Sequence, residues 1–189
     1  MESSELIGSS RWPWRTTGSV TLWIHDTPER LYDLVADVTS HATRSTEVQA
    51  CHWLNGSVPG RVGARFRGGN RAGAARWSRV CEVVTADRNE QFSFRTVPER
   101  LDVTRRDSCL WYYRFRGDRT QTEVTHGYSL ITPPAAWLLA LYGWLMPQHR
   151  DPRPTMLHTL ERLRAQAEQP HGTRSDGTAS VHSRERLAD

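Results

Sequence analysis

The sequence predicts an α+β domain: a curved antiparallel sheet wrapped around a long C-terminal helix. Three observations predict it. A strand and a capped helix open the patterned part of the chain, a run of period-two segments follows, and an amphipathic helix closes it. Strands in an unbroken run, with helices segregated to the ends, are an α+β rather than an alternating α/β pattern. A single sheet of that size curls, and one long helix covers its concave face.

The elements follow in order. Ser19 to His25 alternates Val20, Leu22 and Ile24 with Thr21, Trp23 and His25, a strand signal. Thr27 is placed as an N-cap, Pro28 at the first helical position and Glu29 in the first turn. Leu31, Leu34, Val35 and Val38 then make one apolar stripe. Ser40 to Glu47 is short and polar, read as one more helical turn. Val48 to Leu54 reads as a strand closed by the turn signal Asn55-Gly56. Further extended segments cover Val62–Arg71, Trp77–Ala86, Gln91–Val97, Ser108–Arg116 and Gln121–Ile131. Pro133-Pro134 ends the sheet. Ala135–Met146 is apolar on most faces and helical, Pro147–Pro154 interrupts it, and Thr155–Glu168 is the closing helix.

Length and composition restrict the function. The 189 residues fit one domain with tails, and 37% hydrophobic with 24% charged residues is ordinary for a soluble globular chain. An arm is expected over residues 1–18 and a polar, disordered tail over 169–189, leaving a domain at 19–168. Three cysteines without a CxxC pair exclude a disulfide framework and argue against structural zinc. All 25 basic residues are arginine, so a catalytic Schiff-base lysine and a P-loop lysine are excluded. The N-terminus lacks a signal-peptide core, and Ala135–Met146 is too short to span a bilayer. A cytoplasmic location is expected. No metal is expected, since His149, His158 and Asp151 have no metal-ligand spacing, and no cofactor is expected either.

With these elements in place, IHDTPERLYDLVADVTS resembles the first strand and helix of the START-related, birch-pollen-allergen-like superfamily (SRPBCC). The stretch VGARFRGGNRAGAARWSRVCEVV, followed by FSFRT, WYYRF, TEVTHGYSL and TLERLRAQAE, is similar to its bacterial polyketide cyclase/dehydratase and lipid-transport group. The resemblance implies a helix-grip fold with an internal hydrophobic cavity. It implies binding of a polyketide-like or lipid-like molecule, by proteins that cyclise or dehydrate polyketides or that only carry ligands. His126 in THGYSL, where many relatives have Glu or Ser, and the segment Ala135–Pro154 depart from the pattern.

Strand alternation then nominates the inward face. Cys51, Trp53, Asn70, Trp77, Cys81, Phe92, Phe94, Trp111 and Phe115 are expected to bind ligand. His126 is the candidate proton-transfer residue, its pKa movable toward neutrality among aromatics; the alternative is a neutral core histidine bonded to a carbonyl. Arg79, if inward, holds an enolate or carboxylate oxygen and requires a partner; otherwise it lies in solvent. Tyr113 and Tyr128 are candidate phenolic donors, or plain aromatic core. Cys81 and Cys109 read as small buried hydrophobes.

Two surfaces stand apart. Six arginines fall between Arg61 and Arg79 with no acid among them. Such a stretch meets an anionic partner, for example an acyl-carrier protein or membrane headgroups, or is a solvated hairpin; nucleic acid is not expected. Trp137, Leu138, Leu141, Trp144 and Leu145 either pack on the sheet or gate the cavity and touch a membrane. The combined expectation is cofactor-free cyclisation or dehydration in an aromatic cavity, with a non-catalytic carrier or sensor as the alternative.

Overall fold

The computed structural model describes residues 14–54 and 56–169. Of the arm expected over residues 1–18, residues 14–18 are described and Thr17 and Gly18 already belong to the first strand; residues 1–13, residues 170–189 of the expected tail and Asn55 of the expected turn lie outside the described residues. Within them the elements are β1 (Thr17–Ile24), α1 (Pro28–Ala36), a 3-10 segment (Val38–Thr43), β2 (Val48–Trp53), β3 (Arg65–Ala72), β4 (Ala75–Asp87) and β5 (Gln91–Thr96). Then come β6 (Ser108–Gly117), β7 (Thr122–Thr132), α2 (Ala136–Leu145) and α3 (Arg153–Ala167).

The seven strands form one antiparallel sheet in the order β1-β7-β6-β5-β4-β3-β2. Consecutive strands from β2 to β7 are neighbours, as hairpin-joined strands are. β1 alone pairs out of sequence, with Val20 opposite His126 and Leu22 opposite Val124. The β4–β5 register shifts between Val83 and Thr85, and β2–β3 between Val48 and Ala50. Such bulges bend a strand, as a sheet folding round a helix requires.

Each helix begins where local chemistry allows. Thr27 Oγ1 accepts a hydrogen bond from the Arg30 amide at 3.3 Å and Pro28 occupies the first turn, as the sequence predicts. Leu31 and Val35, one turn apart, are buried. α3 runs 15 residues, about 22 Å, and buries Met156, Leu160, Leu163 and Ala167 against the sheet. Leu157, next to Met156 on the same helix, is 38% exposed. Among the described residues, no helix is long and apolar enough to cross a membrane.

The arginine-rich hairpin is largely a solvated surface. Arg65 and Arg95 both reach Glu82, at 2.7 and 2.9 Å, and Arg71 Nε donates to the Gly73 carbonyl. Arg79 is the exception and turns inward. On the adjoining strands, Tyr112 lies across Gly127, where a Cβ would come within 2.1 Å of its ring. The Arg114 guanidinium sits 4.9 Å from the same ring's centroid.

Candidate functional site

A cavity of about 610 Å³ lies between the concave sheet face and the helices. Its size suits a drug-sized molecule, and its wall is mainly apolar with a few polar groups. Of the residues nominated from sequence, Cys51, Asn70, Trp77, Arg79, Cys81, Phe94, Trp111, Tyr113, His126 and Tyr128 line it together. Trp53, Phe92 and Phe115 do not. Trp53 packs edge-on against Phe66 at 5.5 Å, while Phe92 and Phe115 both meet Tyr32 of α1. These three do point inward, but beneath α1 or beside Phe66, where the concave face is filled core.

His126 is buried between aromatics. Its ring stacks on Tyr113 with centroids 4.0 Å apart and planes 4° from parallel, and Trp111 lies 5.9 Å away. Nδ1 is 3.2 Å from the Tyr112 carbonyl. A carbonyl only accepts, so Nδ1–H donates and the Nε2 lone pair remains. Burial pushes the His126 pKa down to about 4, against the opposing pull of the carbonyl. The sequence-based expectation was a shift toward neutrality; desolvation carries it further down, so at neutral pH the ring is uncharged.

Arg79 turns inward and has a partner. Nη1 contacts both Asp107 carboxylate oxygens, at 2.8 and 2.9 Å, and Nη2 donates to the Asp107 carbonyl at 2.7 Å. Nε is buried without a partner among the described residues. Burial lifts Tyr113 to about 12, and its phenol stays protonated. The Tyr128 hydroxyl is spent on the Arg15 carbonyl at 3.1 Å. Burial also raises Cys51 to about 11 and Cys81 and Cys109 to about 12, which keeps them as unreactive thiols.

Among the cavity residues that the sequence did not nominate are His41 and Arg44, on the 3-10 segment and its C-cap. His41 Nε2 donates to the Val35 carbonyl at 2.8 Å, and burial lowers its pKa to about 4. Arg44 is 3% exposed. It donates to Gln166 Oε1, the Leu34 carbonyl and Ser40 Oγ, at 2.9, 2.7 and 2.9 Å. All three acceptors are neutral. The signal was present, since residues three apart on a helical turn share a face. The segment has no apolar period, so nothing marked that face as inward.

The other boundary of the cavity is built by α2 and the turn after it. Leu139, Tyr142, Leu145 and Met146 contribute to the wall, and the Tyr142 hydroxyl donates to the Thr104 carbonyl at 3.3 Å. Glu47, just before β2, accepts from Gln148 and His149, at 3.2 and 2.9 Å, and Trp77 meets His149 edge-on. Burial raises the Glu47 pKa, but these hydrogen bonds outweigh it and hold the carboxyl below its ordinary range. The outer face of α2 leaves Trp137 58% and Trp144 78% exposed, so part of this segment packs and part does not.

No family model matches the sequence, and no curated protein matches it. Solved structures do match. The Zhui aromatase/cyclase from Streptomyces sp. R1128 is 13% identical with a TM-score of 0.60, over 80% of this chain and 93% of that one. The di-domain ARO/CYC StfQ of the steffimycin biosynthetic pathway is 12% identical with a TM-score of 0.62, over 81% of this chain and 50% of that one. A START superfamily protein from Mycobacterium smegmatis is 13% identical with a TM-score of 0.56, over 81% and 97%. These likenesses show that this chain shares the fold of those structures, a curved antiparallel sheet around a long C-terminal helix, as expected from the sequence.

Proposed function

We propose that this helix-grip chain encloses one hydrophobic, oxygen-bearing small molecule, polyketide-like or lipid-like, and carries it. The observation that supports this most is the cavity of about 610 Å³ with few free polar groups on an aromatic wall. The Arg79 charge, the Tyr113 hydroxyl and the His126 Nε2 lone pair border the cavity, the latter two as one donor and one acceptor for ligand oxygens. A carrier needs nothing more.

Cofactor-free cyclisation or dehydration is the second reading, favoured by the same three groups. In it, the neutral His126 takes a proton from an acidic C–H while Arg79 and Tyr113 stabilise the enolate oxygen. A histidine with a pKa near 4 is a weak base, and proton transfer is most effective with a pKa near the working pH. That is why carriage is the primary reading.

The test is native mass spectrometry of protein purified from its own host, followed by identification of the released molecule. We expect a bound hydrophobic species that is recovered unchanged after incubation with wild type. We also expect His126→Ala to retain it, with affinity changed by less than about tenfold. Conversion of the released molecule by wild type, and not by His126→Ala, would replace carriage with catalysis. An empty protein that takes up nothing from host extract would remove both.

Delivery calls for a surface, and we propose the exposed face of α2 for transient contact with a membrane. Trp137, Leu141, Trp144 and Leu145 lie on one helical face, and α2 itself bounds the cavity. The protein is expected to cosediment with anionic liposomes, and Trp137→Ala/Trp144→Ala to reduce the bound fraction severalfold. Equal sedimentation of both proteins would refute this contact. The acyl-carrier protein considered from the arginine hairpin has weaker support, because Arg65, Arg71 and Arg79 are already engaged within the chain.

A further inference from the structure

Of the five arginines that border the cavity, Arg44 and Arg79 are the least exposed, and they differ in charge balance. Arg79 faces the Asp107 carboxylate and is neutralised in place. Arg44 is more deeply buried, and among the described residues no carboxylate lies within 4.0 Å of its guanidinium. Its acceptors are a carboxamide, a carbonyl and a hydroxyl. The Asp37 carboxylate acts on it only through space and is itself bonded by the Thr39 amide and hydroxyl. His41 is neutral or cationic, never anionic, so it offers Arg44 no counter-charge in either state.

A buried charge without a counter-charge is costly, and proteins rarely keep one unless something pairs with it. Arg44 nevertheless borders open cavity space, and its three bonds leave further N–H donors of the fork available. Its position is also distinctive. Gln166, to which it donates, lies in the last turn of α3, whereas the α3 residues that face the cavity are Thr155, Met156 and Thr159 in its first half, next to the α2 side. A ligand's polar head at Arg44 would therefore leave its apolar body along the aromatic wall.

We propose that Arg44 is an anion subsite, and that the ligand carries an ionised oxygen acid, a carboxylate or an acidic enol, at one end of its hydrophobic body. Nη2 spends both of its N–H groups on Leu34 and Ser40, so an oxygen of either group would take the remaining Nε–H or Nη1–H together with the unbalanced positive charge. The proposal rests on the cavity-binding function above and specifies the ligand class.

The test uses three probes of similar chain length at pH 7.5, measured by calorimetry and by the shift in thermal midpoint. They are dodecanoate, 3-decanoyltetronic acid as an ionised enol, and methyl dodecanoate as the neutral control. At least one anion is expected to bind wild type about tenfold or more tighter than the ester. The identity of that anion tells carboxylate from enol. Arg44→Met should bring that anion down to the ester's affinity and leave ester binding within about twofold. Equal binding of anions and ester by wild type would overturn the anion subsite and leave the cavity function standing. Anion preference that survives in Arg44→Met would overturn its assignment to Arg44. Failure of wild type to bind any of the three would overturn both. Should Arg44→Met not fold, the wild-type comparison decides for or against an anion subsite, and Arg44→Lys, which keeps the charge but not the fork, is expected to retain a reduced preference.

Discussion

Lowering the pH from 7 to 5 is expected to destabilise the fold by about 2 kcal/mol through His126 alone, with a smaller addition from His41. In the unfolded chain each imidazole takes up a proton around pH 6.5, while in the folded protein it does so only near 4. Between those values the unfolded state binds more protons, so stability is present above 6.5 and is lost as pH falls toward 4. His41 adds less because part of its ring faces the cavity. Asp151, held near 2 by Arg153, contributes only at lower pH. Urea denaturation at pH 7.5, 6 and 5 measures the effect. His126→Phe, which keeps a ring on Tyr113 but cannot titrate, should flatten the profile while losing the bond to the Tyr112 carbonyl. Equal urea midpoints at pH 7.5 and 5 would show that the histidines are not held neutral by folding.

Phe92→Ala is expected to cost about 3–5 kcal/mol of stability while leaving ligand affinity within about twofold. Its side chain is fully buried, 6.1 Å from the Tyr32 ring in a T-shaped contact and 6.2 Å from Phe94. Removing it opens a void between α1 and β5 that rigid neighbours on both sides cannot close. Phe94, two residues on, borders the cavity, so Phe94→Ala should instead weaken binding. Chemical denaturation and titration with the identified ligand separate the two. Intact stability with lost affinity in Phe92→Ala would return Phe92 to the binding wall.

This pair shows what the sequence could and could not reveal. Period-two patterning located all seven strands within a few residues, because alternating apolar positions report which face is covered. It placed Phe92, Phe94, Phe115 and Tyr113 on that face alike. Alternation has no coordinate along the curved sheet, so it could not tell where α1 fills the concavity from where the cavity stays open. Arg79 was legible as an inward cation needing a partner, but Asp107 lies 28 residues away and only the fold brings it near. His41 and Arg44 were hidden for the opposite reason. Their segment reads as polar surface, and its inward orientation comes from bonds to α1 and α3, which pattern alone does not encode.

The pairing of β1 with β7 also governs how the molecule can assemble. Ile24 and Thr122 are 98 positions apart and Thr17 and Ser129 are 112 apart, yet they are neighbours in one ladder. Among the described residues, β1 is made before the other strands, and its one ladder partner is the last of them. At typical elongation rates the wait is about 5–20 s, during which β1 has an unpaired edge and the β2–β7 meander can form without it. Contacts of such long sequence separation slow folding. The waiting strand is apolar on alternate positions, so newly made chains are vulnerable to pairing β1 with the β7 of another copy, a strand-exchanged dimer whose yield would rise with the concentration at which the protein is refolded.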